Sequence, residues 1–395
     1  MNPFLKGRSA FNLTLTLGGG LLLSSLSFGA ESNYFQSADV FELEYTTDPQ
    51  VSPGGEQVAY VRRSNDIMTD STRSNIWVSN VNGSEHRPLF SSPDNFSSPR
   101  WSPDGNRLAY LSNVGRGQQL YVRWMDTGQT ALLTNIQLSA SNLSWSPDGE
   151  TIAFTMSVEV DEKPYPINMP EKPEGAEWSP AFEYVTRARY QADGRGILEP
   201  AYTHVFIVPA QGGSARQLTS GSYNHGGSLS WAPNSEEIFF SANRSDNWEF
   251  ETREADIYGV SLYGNIRQIT DTPGFEGTPS VSADGRLIAY VKSDNKKLAY
   301  RNRYLHLMNF DGSNDRNLSA NIDNSLSNAQ WDGNNGLFYQ MTVRGITQVG
   351  HVNLEGRHQE VAGGLGGESL GRPYASGGYN VAAGTIAYTK GAFNR

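Results

Sequence analysis

The chain of 395 residues carries 31 Lys and Arg against 41 Asp and Glu, a formal net charge of −10, and no cysteine. That balance leaves no electrostatic footprint for nucleic acid or an anionic membrane surface, and it excludes a disulfide framework, a thiolate nucleophile and a Cys-ligated zinc. With 37% hydrophobic residues, 41 Gly and 19 Pro, the composition suits a large core built from many short strands.

The first thirty residues read as a secretory signal peptide. Lys6 and Arg8 form a basic start, residues 11–26 a mostly apolar run, and Ser27, Gly29 and Ala30 a small-residue exit. An uncleaved anchor is the competing reading, weakened by the three glycines and several Ser and Thr that interrupt the run. The mature chain is therefore expected in the periplasm or secreted, with no membrane contact after cleavage. Residues 31–46 form a lead-in segment, in which Phe41, Leu43 and Tyr45 alternate as a strand.

From there one stretch recurs. It is VSPGGEQVAY at 51–60, WSPDGNRLAY at 101–110, WSPDGETIAF at 145–154, WAPNSEEIFF at 231–240, VSADGRLIAY at 281–290 and WDGNNGLFY at 331–339, with a last trace in GTIAY at 384–388. Pro fixes φ, Asp bonds its own backbone and Gly takes positive φ, so PDG makes a tight turn between two strands. A spacing near 50 residues is that of one β-propeller blade. The 86-residue step from Trp145 to Trp231 is a blade carrying an insertion. The tryptophans at 101, 145, 231 and 331 belong between neighbouring sheets.

Each unit continues in the same order. Third strands end in tight hairpin turns, as in NIWVSNVNG at 75–83 or YLHLMNFDG at 304–312, and short fourth strands follow as RPLF, ALLT, RQLT, RQIT and RNLS. The blades are placed at about 47–90, 96–134, 141–219, 227–270, 277–318 and 327–361, with a partial one at 373–395. The expected fold is all-β: a seven-bladed β-propeller with its seventh blade incomplete, its open edge inviting aggregation or pairing with another chain.

The insertion, 158–202, holds five prolines, several acids and the aromatics Trp178, Phe182, Tyr184 and Tyr190. An excursion of that length is more often functional than idle. Glu177 and Glu183, flanking Trp178 and Phe182, are the candidate substrate-binding residues, carboxylates beside an apolar wall that suit the amino terminus of a peptide. A solvated acidic loop is the plainer reading.

Other chemistry is missing. There is no GxSxG elbow, HExxH, Walker loop or Rossmann fingerprint; YASGGY at 374–379 and the glycines of 363–367 are loop material. His351, Glu355 and His358 are the nearest approach to a metal cluster, but Glu355 sits in a hairpin turn, so no metal site is expected.

The SPDG repeats, the RQLT-type fourth strands, the signal peptide and VTRARYQADGRG at 185–196 together resemble the propeller half of serine peptidases of the prolyl oligopeptidase family, nearest the acylaminoacyl-peptidase and dipeptidyl-peptidase branch. The resemblance spans about 38–395. It implies a seven-bladed propeller ahead of an α/β-hydrolase domain with a Ser, Asp, His triad, the propeller admitting only short or unfolded peptides. These 395 residues hold no counterpart of that domain, so no catalytic residue carries over and no cofactor is implied. In some relatives a glutamate on a propeller insertion holds the substrate's amino terminus; Glu177 and Glu183 lie in a suitable region, without a motif that fixes the match.

The expected function is thus the non-catalytic propeller part of an exported serine peptidase, gating and positioning short peptides for a hydrolase domain. The alternative is a free-standing periplasmic propeller similar to TolB, a protein-binding scaffold. That family normally carries an α/β domain before its propeller, whereas here the first repeat starts at Val51. A propeller lyase or glycosidase is disfavoured, because the strands before the SPDG turns offer Ser, Pro and Asn rather than clustered carboxylates or histidines.

Overall fold

The computed structural model describes residues 34–114, 117–136, 138–160, 170–179, 185–296, 298, 300–369 and 377–391. The stretch 1–30, expected to be a signal peptide, lies outside them, as does Glu183. The chain divides into two units, residues 1–40 and 41–395. In the first, the Asp39 carboxylate accepts the Gln36 N–H at 2.8 Å. A 3-10 turn over Ser37–Glu42 takes up Phe41, which was expected in an alternating strand.

Past Glu42 the regular secondary structure of the described residues is all strand. The first blade is β1 (Glu44–Val51), β2 (Gln57–Asp66), β3 (Ser71–Asn80) and β4 (Arg87–Pro88), and the second is β5 (Phe96–Trp101), β6 (Arg107–Ser112), β7 (Gln119–Trp124) and β8 (Thr130–Leu132). The third is β9 (Ala140–Trp145) and β10 (Thr151–Glu159), then, after a small hairpin of β11 (Gln191–Ala192) and β12 (Gly196–Ile197), β13 (Ala201–Pro209) and β14 (Arg216–Gln217). The fourth is β15 (His225–Trp231), β16 (Glu237–Ala242), β17 (Asp256–Ser261) and β18 (Ile266–Gln268). The fifth is β19 (Gly274–Val281), β20 (Leu287–Asp294), β21 (Tyr304–Asn309) and β22 (Arg316–Asn317); the sixth is β23 (Leu326–Trp331), β24 (Gly336–Val343), β25 (Ile346–Asn353) and β26 (His358–Leu365). The last two strands, β27 (Tyr379–Ala382) and β28 (Thr385–Tyr388), form a sheet of their own.

The fold is therefore an all-β propeller that shows, among the described residues, six four-stranded blades, not seven. The expected seventh is replaced by the two-stranded hairpin β27–β28, which stands between the sixth blade and the first. The Gln330 side-chain amide donates to the Tyr379 carbonyl at 3.0 Å, Val51 N–H donates to Asn380 Oδ1 at 2.7 Å, and Thr385 Oγ1 donates to the Gly55 carbonyl at 3.1 Å.

The turns explain the repeat. In the second blade Gly105, at φ +72°, sends its N–H to the Ser102 carbonyl at 2.9 Å, while Asp104 Oδ1 accepts Asn106 N–H at 3.1 Å. The serine also closes the loop: Ser102 Oγ accepts the Arg107 N–H at 2.9 Å, as Ser146 does for Thr151 and Ser282 for Leu287. Partial burial pushes the Asp104 pKa up, but the bonds it accepts from the Ser102 hydroxyl and from Asn106 outweigh this and hold it below its ordinary value.

The core lies between blades. Leu120 and Val122 pack with Ile152 and Phe154, Val205 and Ile207 with Ile238 and Phe240, and Leu305 and Leu307 with Leu337 and Val352. Each fully buried side chain of this size contributes about 1.5–3 kcal/mol of hydrophobic stabilisation. Val349 and Leu365 extend the same packing to Tyr379, so the hairpin is held by apolar contact as well as hydrogen bonds.

Candidate functional site

Around the channel the innermost strands repeat two devices. First, in five blades the inner strand is bulged three residues before its Trp or Val: Asp48, Ser98, Asn142, Thr278 and Asn328 all have φ between 51° and 54°, where the pairing register slips; in the fourth blade Gly227, four residues before Trp231, takes the left-handed conformation instead, at φ +77°. A left-handed conformation costs a non-glycine residue roughly 1 kcal/mol, and bulges re-aim side chains.

Second, each inner strand reaches back to the one before it. The indole N–H of Trp101 donates to the Gln50 carbonyl at 3.0 Å, Trp145 to Arg100 at 2.9 Å, Trp231 to Ser144 at 3.2 Å and Trp331 to Ser280 at 3.0 Å. Where valine stands at that position, its own backbone N–H is bonded instead: Val281 to Ser230 Oγ at 2.9 Å, Val381 to Gln330 Oε1 at 3.0 Å and Val51 to Asn380 Oδ1 at 2.7 Å. The hairpin thus completes a closed circuit of inner-strand bonds. An Asp48–Arg100 ion pair at 2.8 Å adds a polar tie between the first two blades. A cavity of 560 Å³ opens here, lined by polar groups including Gln50, Arg100, Asn142 and Asn380.

The two ends of the channel differ. Strand order places the SPDG turns and the third-to-fourth hairpins at one end, and all second-to-third connections at the other. At this loop end the connections of the third, fourth and fifth blades are long, spanning 160–200, 243–255 and 295–303. They and their neighbours expose large apolar side chains, among them Met68 (87%), Phe250 (78%) and Tyr300 (84%).

The larger cavity, 1220 Å³, lies at that end between the insertion and the fourth-blade loop. Its walls include Arg187, Arg189, Tyr190, Arg195, Trp248 and Glu249. Ala188 N–H donates to Glu249 Oε2 at 3.0 Å, tying insertion to loop. The Arg187 guanidinium lies 4.3 Å from the Tyr202 ring centre and donates to the Ala201 carbonyl at 3.2 Å; Tyr202 in turn meets Trp248 edge-on at 6.0 Å. The hairpin β11–β12 is held by the Leu198 N–H to Tyr190 carbonyl bond at 2.8 Å.

Of the two candidate residues, Glu177 is exposed, next to a half-exposed Trp178, and does not line this cleft; Glu183 and Phe182 lie outside the described residues. The wall residues that sequence reasoning did not single out are Arg187, Arg189 and Arg195, whose signal is three basic residues within nine positions of an acidic chain. His351 and His358 do not form a site: His351 packs edge-on against Phe338 near Asp332, while His358 bonds the Tyr339 hydroxyl at 3.0 Å and the Leu318 carbonyl at 2.9 Å. No group of metal-binding side chains occurs among the described residues, and none of their helices is long and apolar enough to cross a membrane.

Blades of four antiparallel strands around a channel define a β-propeller, and comparison with known proteins specifies which kind. The chain belongs to the TolB β-propeller domain family, whose model matches residues 55–333. Its propeller is homologous to the N-terminal propeller of prolyl oligopeptidase-family peptidases. The chain is 30% identical over 221 residues to the uncharacterized peptidase YuxL of Bacillus subtilis, covering 56% of this chain and 33% of that protein. It is 33% identical over 87 residues to the Tol-Pal system protein TolB of a Polaromonas species, covering 22% and 20% respectively. Among solved structures, the acylaminoacyl peptidase of Pyrococcus horikoshii superposes with a TM-score of 0.64 at 17% identity, covering 82% of this chain and 47% of that one. The chain thus spans less than half the length of each of these relatives.

Proposed function

We propose that this chain is the non-catalytic propeller part of an exported serine peptidase, which admits short peptides and positions them for a hydrolase domain. The observation that carries the reading is the asymmetry of the channel. One end has tight turns, whereas the other gathers the long connections, most of the exposed apolar side chains and a cleft of 1220 Å³ large enough for a peptide end. Homology to peptidase propellers supports the same assignment, and the basic start and apolar run before residue 30 support export.

A second reading, a periplasmic scaffold that binds a folded protein, draws on the TolB family match. The two separate by ligand. In fluorescence anisotropy, the purified chain binds a labelled short peptide and leaves it intact, as chromatography of the recovered peptide checks. Hydrolysis by the purified chain overturns the non-catalytic assignment. Absence of peptide binding, with capture of a folded partner, favours the scaffold.

A further inference from the structure

We propose that the cleft beside the insertion is a carboxylate site, and that Arg189 and Arg195 take the C-terminal carboxylate of a bound peptide. The inference rests on the peptide-positioning reading and adds which end of the peptide is held, and where.

The chain as a whole is acidic, at −10, and the cleft is lined by Arg187, Arg189 and Arg195 together with Glu199, Glu249 and Glu254, of which Glu249 and Glu254 each accept a backbone N–H, from Ala188 and Gly274. Arg187 is committed to the wall itself, stacked on Tyr202 and bonded to the Ala201 carbonyl. Arg189 and Arg195 are exposed, and their guanidinium groups have no hydrogen-bond or ion-pair partner among the described residues. Arg189 precedes the β11–β12 hairpin and Arg195 lies in its turn, beside Gly194 at φ +74° and Gly196 at φ +70°, so their backbone positions are defined before any ligand arrives.

Trp248 on the opposite wall and Tyr190 beside the arginines supply apolar faces, and Asn224 and Asn243 supply neutral hydrogen-bonding groups. A guanidinium pair with apolar walls suits a carboxylate on an amphipathic chain. The negative net charge of the whole chain disfavours polyanions.

The test compares a fluorescent pentapeptide bearing a free C-terminal carboxylate with the same peptide as its C-terminal amide, titrated with the full chain. The free acid binds about tenfold more tightly, the scale of one lost charge-assisted bond pair. R189A and R195A each remove that preference while leaving the amide's affinity unchanged, and their circular dichroism melts match the parent because both positions are exposed. Equal binding of acid and amide overturns the carboxylate site but leaves peptide positioning standing. If neither peptide binds, both fail. Displacement of the acid by inorganic phosphate but not by acetate also overturns it, marking a phosphate site.

Discussion

The indole Nε1 of Trp145 lies 2.9 Å from the carbonyl oxygen of Arg100, one blade back, while the Arg107 guanidinium from that earlier blade sits 4.9 Å from the Trp145 ring centre. One side chain therefore fills the seam between two sheets, satisfies a backbone acceptor and receives a cation. Trp145→Phe keeps most of the apolar area but removes the donor. Chemical denaturation should show a loss of about 1–2 kcal/mol, the cost of leaving a partly buried acceptor unpaired.

Closure of the ring depends on a different bond type. Val51 has no indole, so its N–H goes to Asn380 Oδ1 on the hairpin. Asn380→Ala orphans that N–H at the seam between hairpin and first blade. Hydrogen exchange should accelerate along Glu44–Val51 and Tyr379–Tyr388, with little change in the seam of the third and fourth blades; uniform acceleration argues against a local closure.

Within the fifth blade the device is charge. Glu276 is fully buried, with Oε1 2.7 Å from Lys292 Nζ, and Lys292 lies 3.2 Å from Asp315. Burial pulls the Lys292 pKa down, but the two carboxylates outweigh it and hold it above its ordinary value. Lys292→Ala leaves a buried carboxylate uncompensated and should cost about 3–5 kcal/mol in the same denaturation assay.

Two groups set opposing pH dependences. His225 is fully buried, its ring 5.2 Å from that of His204 and bonded to Arg244 at 3.1 Å; burial first, then these two neighbours, depress its pKa to about 4. A base depressed in the folded state is kept neutral there, so its contribution is whole above about 6.5 and is lost as pH falls towards 4. Asp256 runs the other way. Burial, then Glu276, Glu254 and Asp271, raise its pKa to about 7, so the folded state holds a proton the unfolded state gives up, and stability falls as pH rises from 3.8 to 7. Asp256→Asn should raise Tm at pH 8 and leave it unchanged at pH 3; a gain at both pH values contradicts the assignment.

The blade architecture was legible because its turn chemistry is local: Ser, Pro, Asp and Gly act within five residues of one another, and the apolar strand follows at once. The count of blades was not, because it rests on strand pairing: VAAGTIAY at 381–388 holds one inner pair in the circuit with no third strand beside it among the described residues. The place of the tryptophans between sheets was readable from the repeat, whereas their indole bonds to the preceding blade depend on a neighbour 45–87 residues away. The site was the least legible. Attention fell on the acids of the insertion, but Glu177 faces solvent, and the arginines of 187–195 become a wall only when the insertion folds against the loop that carries Trp248 and Glu249. A local reversal of charge sign was the available signal.

The account stands on the loop end of the channel being where peptides meet this chain. Hydrogen exchange of the full chain with and without a saturating short peptide reads this directly. Protection confined to 185–202 and 243–255, with the turns at 102–107, 146–151 and 282–287 unchanged, is the predicted result. Protection at those turns, or none anywhere while the peptide is bound, would contradict it.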